Sequence, residues 1–169
     1  LLASQDYDGD GIIEIPSQRP LLGSRKYESP KNIYEQMNVT SWIEVRSSKD
    51  LEFTETLVNA SDSYILDLKP LENIMGEFTV YSYSNTRTWI FKEYSAKYET
   101  AGDDLFAIIC TTKDSANQKG VKSENYLIEN DDGTVVYFES REKGAKAGIT
   151  VKSIKPYIKI FKDKELAAK

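Results

Sequence analysis

Stretches in which apolar and polar residues alternate fill most of the chain between residues 39 and 141, and they limit the folds open to it. A period of two, rich in Val, Ile, Thr and aromatic residues, predicts half-buried strands, and short turn-forming segments between them predict antiparallel neighbours. We expect strands at residues 39–47, 51–59, 63–69, 76–84, 87–95, 104–113, 123–130 and 134–141, and a shorter one at 11–16.

One of these strands is apolar without interruption. The run LFAIIC ends at Cys110, and a run of this kind predicts a central strand that is covered on both faces. Cys110 is the only cysteine and the chain has no histidine. We therefore interpret Cys110 as a buried structural thiol, because nothing is available to activate it as a nucleophile.

The C-terminal segment has a different period. Val151, Ile154, Ile158 and Phe161 follow each other at helical spacing, and Thr150 is a suitable N-cap. Pro156 removes one backbone hydrogen bond and is expected to bend the helix. The sequence therefore predicts an α+β fold, in which a mainly antiparallel sheet carries a C-terminal helix.

Composition excludes several classes of function. Without histidine the chain can form neither a Ser-His-Asp nor a Cys-His catalytic site, nor a zinc site that contains histidine. A net charge of −5 disfavours a nucleic-acid partner, and no apolar run reaches the length of a membrane span. We expect no catalytic activity from this chain.

The stretch DYDGDGIIE near the start holds the clearest candidate site. Asp6, Asp8 and Asp10 take positions one, three and five of a calcium-loop pattern, with Gly11 at position six. A backbone carbonyl at Ile12 and the carboxylate of Glu14 would extend the ligand set, and ligands made entirely of oxygen suit Ca²⁺. The alternative is an Asp/Gly-rich turn without metal. A helix–loop–helix site is excluded, because position twelve is Ser17 and a strand-like segment follows the loop.

The pattern D-x-D-G-D-G-x-x-E followed by a strand resembles the FG-GAP (VCBS-type) repeat of integrin-like β-propellers. In that family the loop joins two strands of a blade and wraps one calcium ion. The segment from SWIEV to GEFTVYS is similar to a PsbP/Mog-type α+β module of exported Gram-positive bacterial proteins, although its usual Trp is missing from LKPLENIMGEF. The resemblance implies an incomplete propeller-like β-hairpin segment at 1–61, a sheet with a C-terminal helix at 62–165, and a tail at 166–169.

Other residues allow weaker interpretations. Asp103, Asp104, Glu129, Asp131 and Asp132 could be paired acids of a glycosidase, but ENDDGT is better interpreted as a hairpin turn. The tyrosines and the two tryptophans could form a surface that binds carbohydrate or protein. Such residues more often fill the faces of a sheet.

Together these observations predict a non-enzymatic, calcium-stabilised module of an exported or cell-surface bacterial protein. Its role would be adhesion or protein recognition, with a protein or a carbohydrate at the cell surface as partner. The alternative is an accessory domain of a secreted hydrolase whose catalytic domain lies elsewhere. Because Leu1 is not a natural start residue, we expect upstream sequence, including an export signal.

Overall fold

A computed structural model describes residues 2–24, 27–28, 33–45 and 51–161. Its strands are β1 Ile15–Pro20, β2 Tyr27–Glu28, β3 Ile33–Tyr34, β4 Asn38–Val45, β5 Leu51–Asn59, β6 Tyr64–Asp67, β7 Phe78–Tyr83, β8 Thr88–Ser95, β9 Thr100–Thr112, β10 Tyr126–Glu129, β11 Thr134–Ser140 and β12 Ile158–Ile160. Its helices are α1 Leu68–Met75, α2 Lys113–Gln118, α3 Glu142–Lys146 and α4 Val151–Ile154, and 3₁₀ turns occupy Ser84–Thr86, Ser123–Asn125 and Lys155–Tyr157.

The strands form two five-stranded antiparallel sheets and one small pair. The first sheet has the order β1-β4-β5-β6-β12, and the second has the order β10-β11-β9-β8-β7. Strands β2 and β3 pair with each other. Eight of the nine predicted strands are thus present as β4–β11, but the strand predicted at 11–16 begins only at Ile15 and runs to Pro20, because residues 11–14 still belong to the acidic loop. β9, which contains the apolar run, is the middle strand of the second sheet. The prediction that Cys110 lies buried in a central strand is confirmed.

One hydrophobic core joins the two sheets. Val39, Leu57 and Leu66 of the first sheet belong to the same buried cluster as Phe91 and Phe106 of the second. The rings of Phe91 and Phe106 stack with centroids 4.3 Å apart. The first sheet therefore contributes one face to this core, and its opposite face is covered separately, around Trp42 and Ile65.

The predicted α+β class with a C-terminal helix is wrong. Only Val151–Ile154 is helical in that segment, a 3₁₀ turn with Pro156 follows, and Ile158–Ile160 continues as β12. Pro156 cannot donate the backbone bond that would extend the helix, and β-branched isoleucines fit a strand. Ile158 pairs with Leu66 of β6, so the segment completes the first sheet and the chain is mostly antiparallel β with a few short helices.

The propeller-like hairpin segment that was part of the predicted fold class is not found either. Strands β1, β4 and β5 belong to the first sheet, which β6 and β12 complete from later in the sequence. The predicted division at residue 61 stays a prediction, and the tail at 166–169 lies outside the described residues. Within the part of the chain that the structure describes, no helix is long and apolar enough to cross a bilayer.

Candidate metal centre

The acidic loop is closed at its base by a short antiparallel bridge. Gln5 and Glu14 exchange both backbone hydrogen bonds, each 3.1 Å long. Between them the backbone has positive φ at Gly9 (85°) and Gly11 (91°), a conformation that glycine adopts without steric cost. The bridge and the two glycines fold the loop back on itself directly before β1.

The aspartates of the loop accept hydrogen bonds from its own backbone. The Asp6 carboxylate accepts from the Gly9 N–H (2.6 Å) and from the Gly11 N–H (3.1 Å). Asp8 Oδ1 accepts from the N–H of Asp10 (3.2 Å). These bonds hold the carboxylates in place, and each carboxylate oxygen keeps a further lone pair with which it could bind a cation.

Three of the predicted ligands converge. One carboxylate oxygen from each of Asp6, Asp8 and Glu14 lies within 4.8 Å of the others. Calcium binds oxygen at 2.3–2.6 Å, so two ligands of one ion are separated by about 5 Å at most. The spacing and the hard oxygen donors fit Ca²⁺.

The other two predicted ligands lie outside this group. Asp10 Oδ1 accepts a hydrogen bond of 2.8 Å from the Ile12 N–H, and both residues are in the same loop. Asp10 is exposed and Ile12 is half-buried. Binding of calcium by these two residues stays a prediction.

Glu14 is the buried member of the group, with only 3% of its surface exposed. Its Oε2 accepts a hydrogen bond of 3.0 Å from the Tyr7 N–H. Burial raises the pKa of Glu14, and the negative charges of the three loop aspartates raise it further, whereas the bond from Tyr7 lowers it. A buried carboxylate among like charges is destabilised in its charged form, and a bound cation would offset that cost.

Tyr7 anchors the loop on the outer face of the first sheet. Its ring stacks on Trp42 of β4, with centroids 4.7 Å apart and an interplanar angle of 10°. The Trp42 indole N–H donates to Thr56 Oγ1 of β5 at 2.9 Å, and only 1% of Trp42 is exposed. Burial is also the main reason why the pKa of Tyr7 is raised. The position of the loop therefore depends on the sheet beneath it.

Sequence reasoning missed the contribution of β4 and β5 to this region. Glu44 and Glu52 are directly opposite each other in the two strands, and with Asp8, Asp10 and Glu14 they line one hollow of about 490 Å³. The alternation in both segments predicted the two strands. Placing Glu44 and Glu52 beside the loop also required the packing of Tyr7 on Trp42, which no local pattern indicates.

Three of the other acidic residues considered above have structural partners, namely Asp104, Glu129 and Asp132. Asp104 forms an ion pair with Lys92, and Glu129 forms one with Lys113. Asp132 Oδ1 accepts hydrogen bonds from the backbone N–H and the hydroxyl of Thr134, and these bonds lower the pKa of Asp132. The interpretation of ENDDGT as a turn is confirmed, because residues 130–133 connect β10 to β11.

Cys110 has no environment that would activate it. Burial raises the pKa of its thiol to about 12, and Asp62 adds to this effect while Arg87 opposes it. A thiol with so high a pKa is almost entirely protonated near neutral pH, and the thiolate is the nucleophilic form.

No family model, curated protein or solved structure matches the chain. The likeness of the acidic loop to an FG-GAP repeat therefore stays a prediction, as does the likeness of the following segment to a PsbP/Mog-type module. What the loop does is inferred from its own geometry and from the sheet on which it lies.

Proposed function

We propose that the chain is a non-enzymatic, calcium-stabilised module that serves protein recognition or adhesion at the surface of a bacterial cell. The observation that supports this proposal best is the convergence of carboxylate oxygens from Asp6, Asp8 and Glu14. Glu14 is buried and surrounded by like charges, so the loop gains more from a bound cation than a fully solvated acidic turn would gain.

Each residue of the loop has a distinct part in the proposed site. Asp6, Asp8 and Glu14 would hold the ion, and Asp10 and the carbonyl of Ile12 are proposed as further ligands. Calcium would supply a positive charge that offsets the repulsion among the carboxylates. Because Glu14 directly precedes β1 and bonds to Tyr7, an ion held here would fasten the N-terminal segment to the first sheet.

The stabilising role follows from mass action. A ligand that binds the folded chain and not the unfolded chain raises the free energy of unfolding as its concentration increases. Asp8 and Asp10 are exposed, and a site open to water is expected to bind weakly. Calcium sites of extracellular modules have dissociation constants of roughly 10⁻⁴–10⁻³ M, and we expect an affinity in this range.

Two features support the absence of catalysis in this proposal. The chain has no histidine, and burial raises the pKa of the Cys110 thiol to about 12. A general base near neutral pH would then have to be a carboxylate or a lysine with a strongly shifted pKa. Asp104 and Glu129 are instead paired with lysines.

Calorimetric titration with calcium tests the proposal. We expect one site in the intact chain, loss of that site in Asp8→Asn, and unchanged binding in Asp131→Asn. Asp131 is the matched control, because it is also an exposed aspartate and it lies in the distant turn between β10 and β11. An absence of calcium binding in the intact chain, or equal loss in both variants, would contradict the proposal.

A further inference from the structure

Residues of both sheets line one cleft, at the place where an ion pair joins the β5–β6 turn to the β7–β8 turn. The volume of the cleft is about 420 Å³, which is within the size range of small-molecule sites. Residues 59–62, 82–84 and 35–38 supply most of its lining. None of the described residues that line it also lines the hollow beside the acidic loop. We refer to it as the turn cleft.

The ion pair between Asp62 and Arg87 holds the two turns together. Only 5% of the Asp62 side chain is exposed, compared with 43% of the Arg87 side chain. Asn59 Nδ2 donates to Asp62 Oδ2 at 3.1 Å, and Asn59 Oδ1 accepts from the Asp62 N–H at 2.9 Å. Hydrogen bonds to a charged group are among the stronger ones, so this part of the turn cleft is formed before any ligand binds.

Both turns contain a residue other than glycine with left-handed backbone. Ser63, which directly follows Asp62, has a φ of 59°, and Arg87 has a φ of 50°. Glu99 is the only further case among the described residues. This conformation is uncommon for such residues, and residues that adopt it cluster at binding sites and active sites. The two unusual conformations here lie on either side of one ion pair, at the turn cleft.

Several polar side chains that line the turn cleft have no partner in the folded chain. Side chains that form no hydrogen bond with another described residue include those of Asn38, Ser61, Ser82 and Ser84. An asparagine amide and a serine hydroxyl can each both donate and accept hydrogen bonds. The hydroxyl groups of a ligand do the same, so this lining fits a ligand that carries several hydroxyl groups.

Another part of the lining is apolar. Met37, Val58 and Trp89 contribute to it, and the Trp89 ring is held edge-to-face against the fully buried Tyr64, with centroids 5.0 Å apart. A sugar ring has hydroxyl groups around its rim and C–H groups on its faces. It therefore needs polar partners together with an apolar wall, and the turn cleft has both.

Charge favours a neutral ligand. The charged residues that line the turn cleft, among those described, are Glu35, Asp62 and Arg87. Arg87 is already paired with Asp62, so an anionic ligand would have to compete for it. Glu35 is exposed, and salt screens its attraction for a cation. A ligand without charge meets neither obstacle.

An extended peptide is the other neutral ligand that has both donors and acceptors, and it commonly binds by adding a strand to an open sheet edge. β7 is an edge strand, but at the turn cleft the Glu35 N–H donates to the Ser82 carbonyl at 2.8 Å. β1, the edge strand of the first sheet, contains Pro16 and Pro20, which lack a backbone N–H. Both edges therefore disfavour an added peptide strand.

We propose that the turn cleft binds a neutral sugar. Asn38 and Ser61, with the serines of the β7–β8 turn, form hydrogen bonds to the hydroxyl groups of the sugar, and the apolar wall contacts its C–H face. This inference rests on the proposed adhesion function, for which it names a site and a class of ligand. It does not require that calcium is bound.

Titration with glucose, galactose, mannose and N-acetylglucosamine, followed by NMR of the full chain in chelator, tests the inference. We expect at least one of these sugars to bind, with an affinity that does not change with salt. Cyclohexanol, which has a ring but one hydroxyl, and glucuronate, which is an anion, should bind more weakly. In the double variant Asn38→Ala/Ser61→Ala the affinity for the sugar should fall by about tenfold, because two hydrogen bonds are lost.

The matched control is the double variant Asn73→Ala/Ser123→Ala, because it alters an exposed asparagine and an exposed serine outside the turn cleft. It should bind the sugar as the unchanged chain does. Four results would each overturn the inference: no binding of any of the sugars, unchanged affinity in Asn38→Ala/Ser61→Ala, equal loss in both double variants, or tighter binding of cyclohexanol or glucuronate than of every neutral sugar.

A trialanine peptide with both ends blocked addresses the other class of ligand. If it bound more tightly than every sugar, and if Asn38→Ala/Ser61→Ala lost that binding, the inference would be overturned in favour of a peptide. Because sugar binding is measured in chelator, its outcome is independent of the calcium titration. Calcium binding without sugar binding would contradict only this inference, and sugar binding without calcium binding would contradict only the metal site.

Discussion

The Tyr7 ring lies flat on the Trp42 indole, with ring centroids 4.7 Å apart and an interplanar angle of 10°. This contact connects the acidic loop to β4 across a long separation in sequence. Because the Tyr7 N–H also bonds to the Glu14 carboxylate, the same residue holds the loop to the sheet with its ring and fixes a proposed metal ligand with its backbone.

Replacing Tyr7 by alanine should therefore weaken both the fold and the calcium site. Loss of the stacked ring and of its half-buried surface is expected to lower the free energy of unfolding by about 1–2 kcal/mol. Urea unfolding measures this change, and calorimetric titration measures the accompanying loss of calcium affinity.

Two variants separate this effect from a general loss of a tyrosine. Tyr7→Phe keeps the ring and should retain most of the stability, whereas Tyr98→Ala removes an exposed ring and should change the stability by less than about 0.5 kcal/mol. If Tyr7→Ala were as stable as Tyr98→Ala, the ring contact would not anchor the loop.

Gly144 of α3 lies against the backbone of β9. A Cβ atom at this position would come within 1.9 Å of the Leu105 carbonyl oxygen, and a backbone atom in the middle of a strand cannot easily move away. Gly144→Ala should lower the free energy of unfolding by about 3 kcal/mol through overpacking. Thermal and urea unfolding check this value.

The neighbouring Lys143→Ala is the control for Gly144→Ala, since it changes an exposed residue of the same helix. At an ordinary helix position, replacing glycine by alanine raises the free energy of unfolding by about 0.5–1 kcal/mol. A stabilising effect of Gly144→Ala would therefore show that α3 does not approach β9 as closely as described.

The strands could be predicted from the sequence because their signal is local. Alternation and β-branched residues indicated β4, β5, β8 and β11, and the uninterrupted run indicated that β9 is central. The arrangement into two sheets could not be predicted, because it depends on pairings such as Ile158 with Leu66. Such pairings join residues that are distant in sequence, and no short pattern contains them.

The C-terminal error has a specific cause. Val151, Ile154, Ile158 and Phe161 have helical spacing, yet the first two lie in α4, Ile158 lies in β12 and Phe161 directly follows that strand. A short helix followed by a strand can give the same spacing as one longer helix. Pro156 was the feature that distinguished the two possibilities, because it ends the run of backbone hydrogen bonds.

The candidate site shows the same division between local and distant information. Asp6, Asp8 and Glu14 come together within one loop, where spacing and two glycines determine the geometry. The burial of Glu14 depends on the surrounding structure, and Trp42, Glu44 and Glu52 are contributed by other strands. These properties follow from packing and could not be inferred from the spacing of the aspartates.

The raised pKa of Glu14 gives the calcium-free chain a characteristic dependence on pH. Its ordinary pKa is 4.5, and burial together with the neighbouring aspartates raises the pKa in the folded chain. The folded chain therefore binds more protons than the unfolded chain at pH values between the two pKa values. The contribution of Glu14 to the free energy of unfolding is therefore fully present below pH 4.5, and it is lost as the pH rises through the pKa that Glu14 has in the folded chain.

Glu14→Gln should remove this part of the pH dependence, because glutamine is neutral at every pH. In chelator, the variant should become more stable relative to the unchanged chain as the pH rises above 4.5. In saturating calcium the order should reverse, since the unchanged chain gains the binding energy of the ion and the variant lacks a buried ligand. Urea unfolding at a series of pH values, with calcium and with chelator, measures both effects.

Glu124→Gln, which alters an exposed glutamate in a 3₁₀ turn, should follow the unchanged chain under all four combinations of high or low pH and calcium or chelator. If Glu14→Gln also followed the unchanged chain in chelator, the charge of Glu14 would not destabilise the folded chain, and a bound cation would have no such cost to offset.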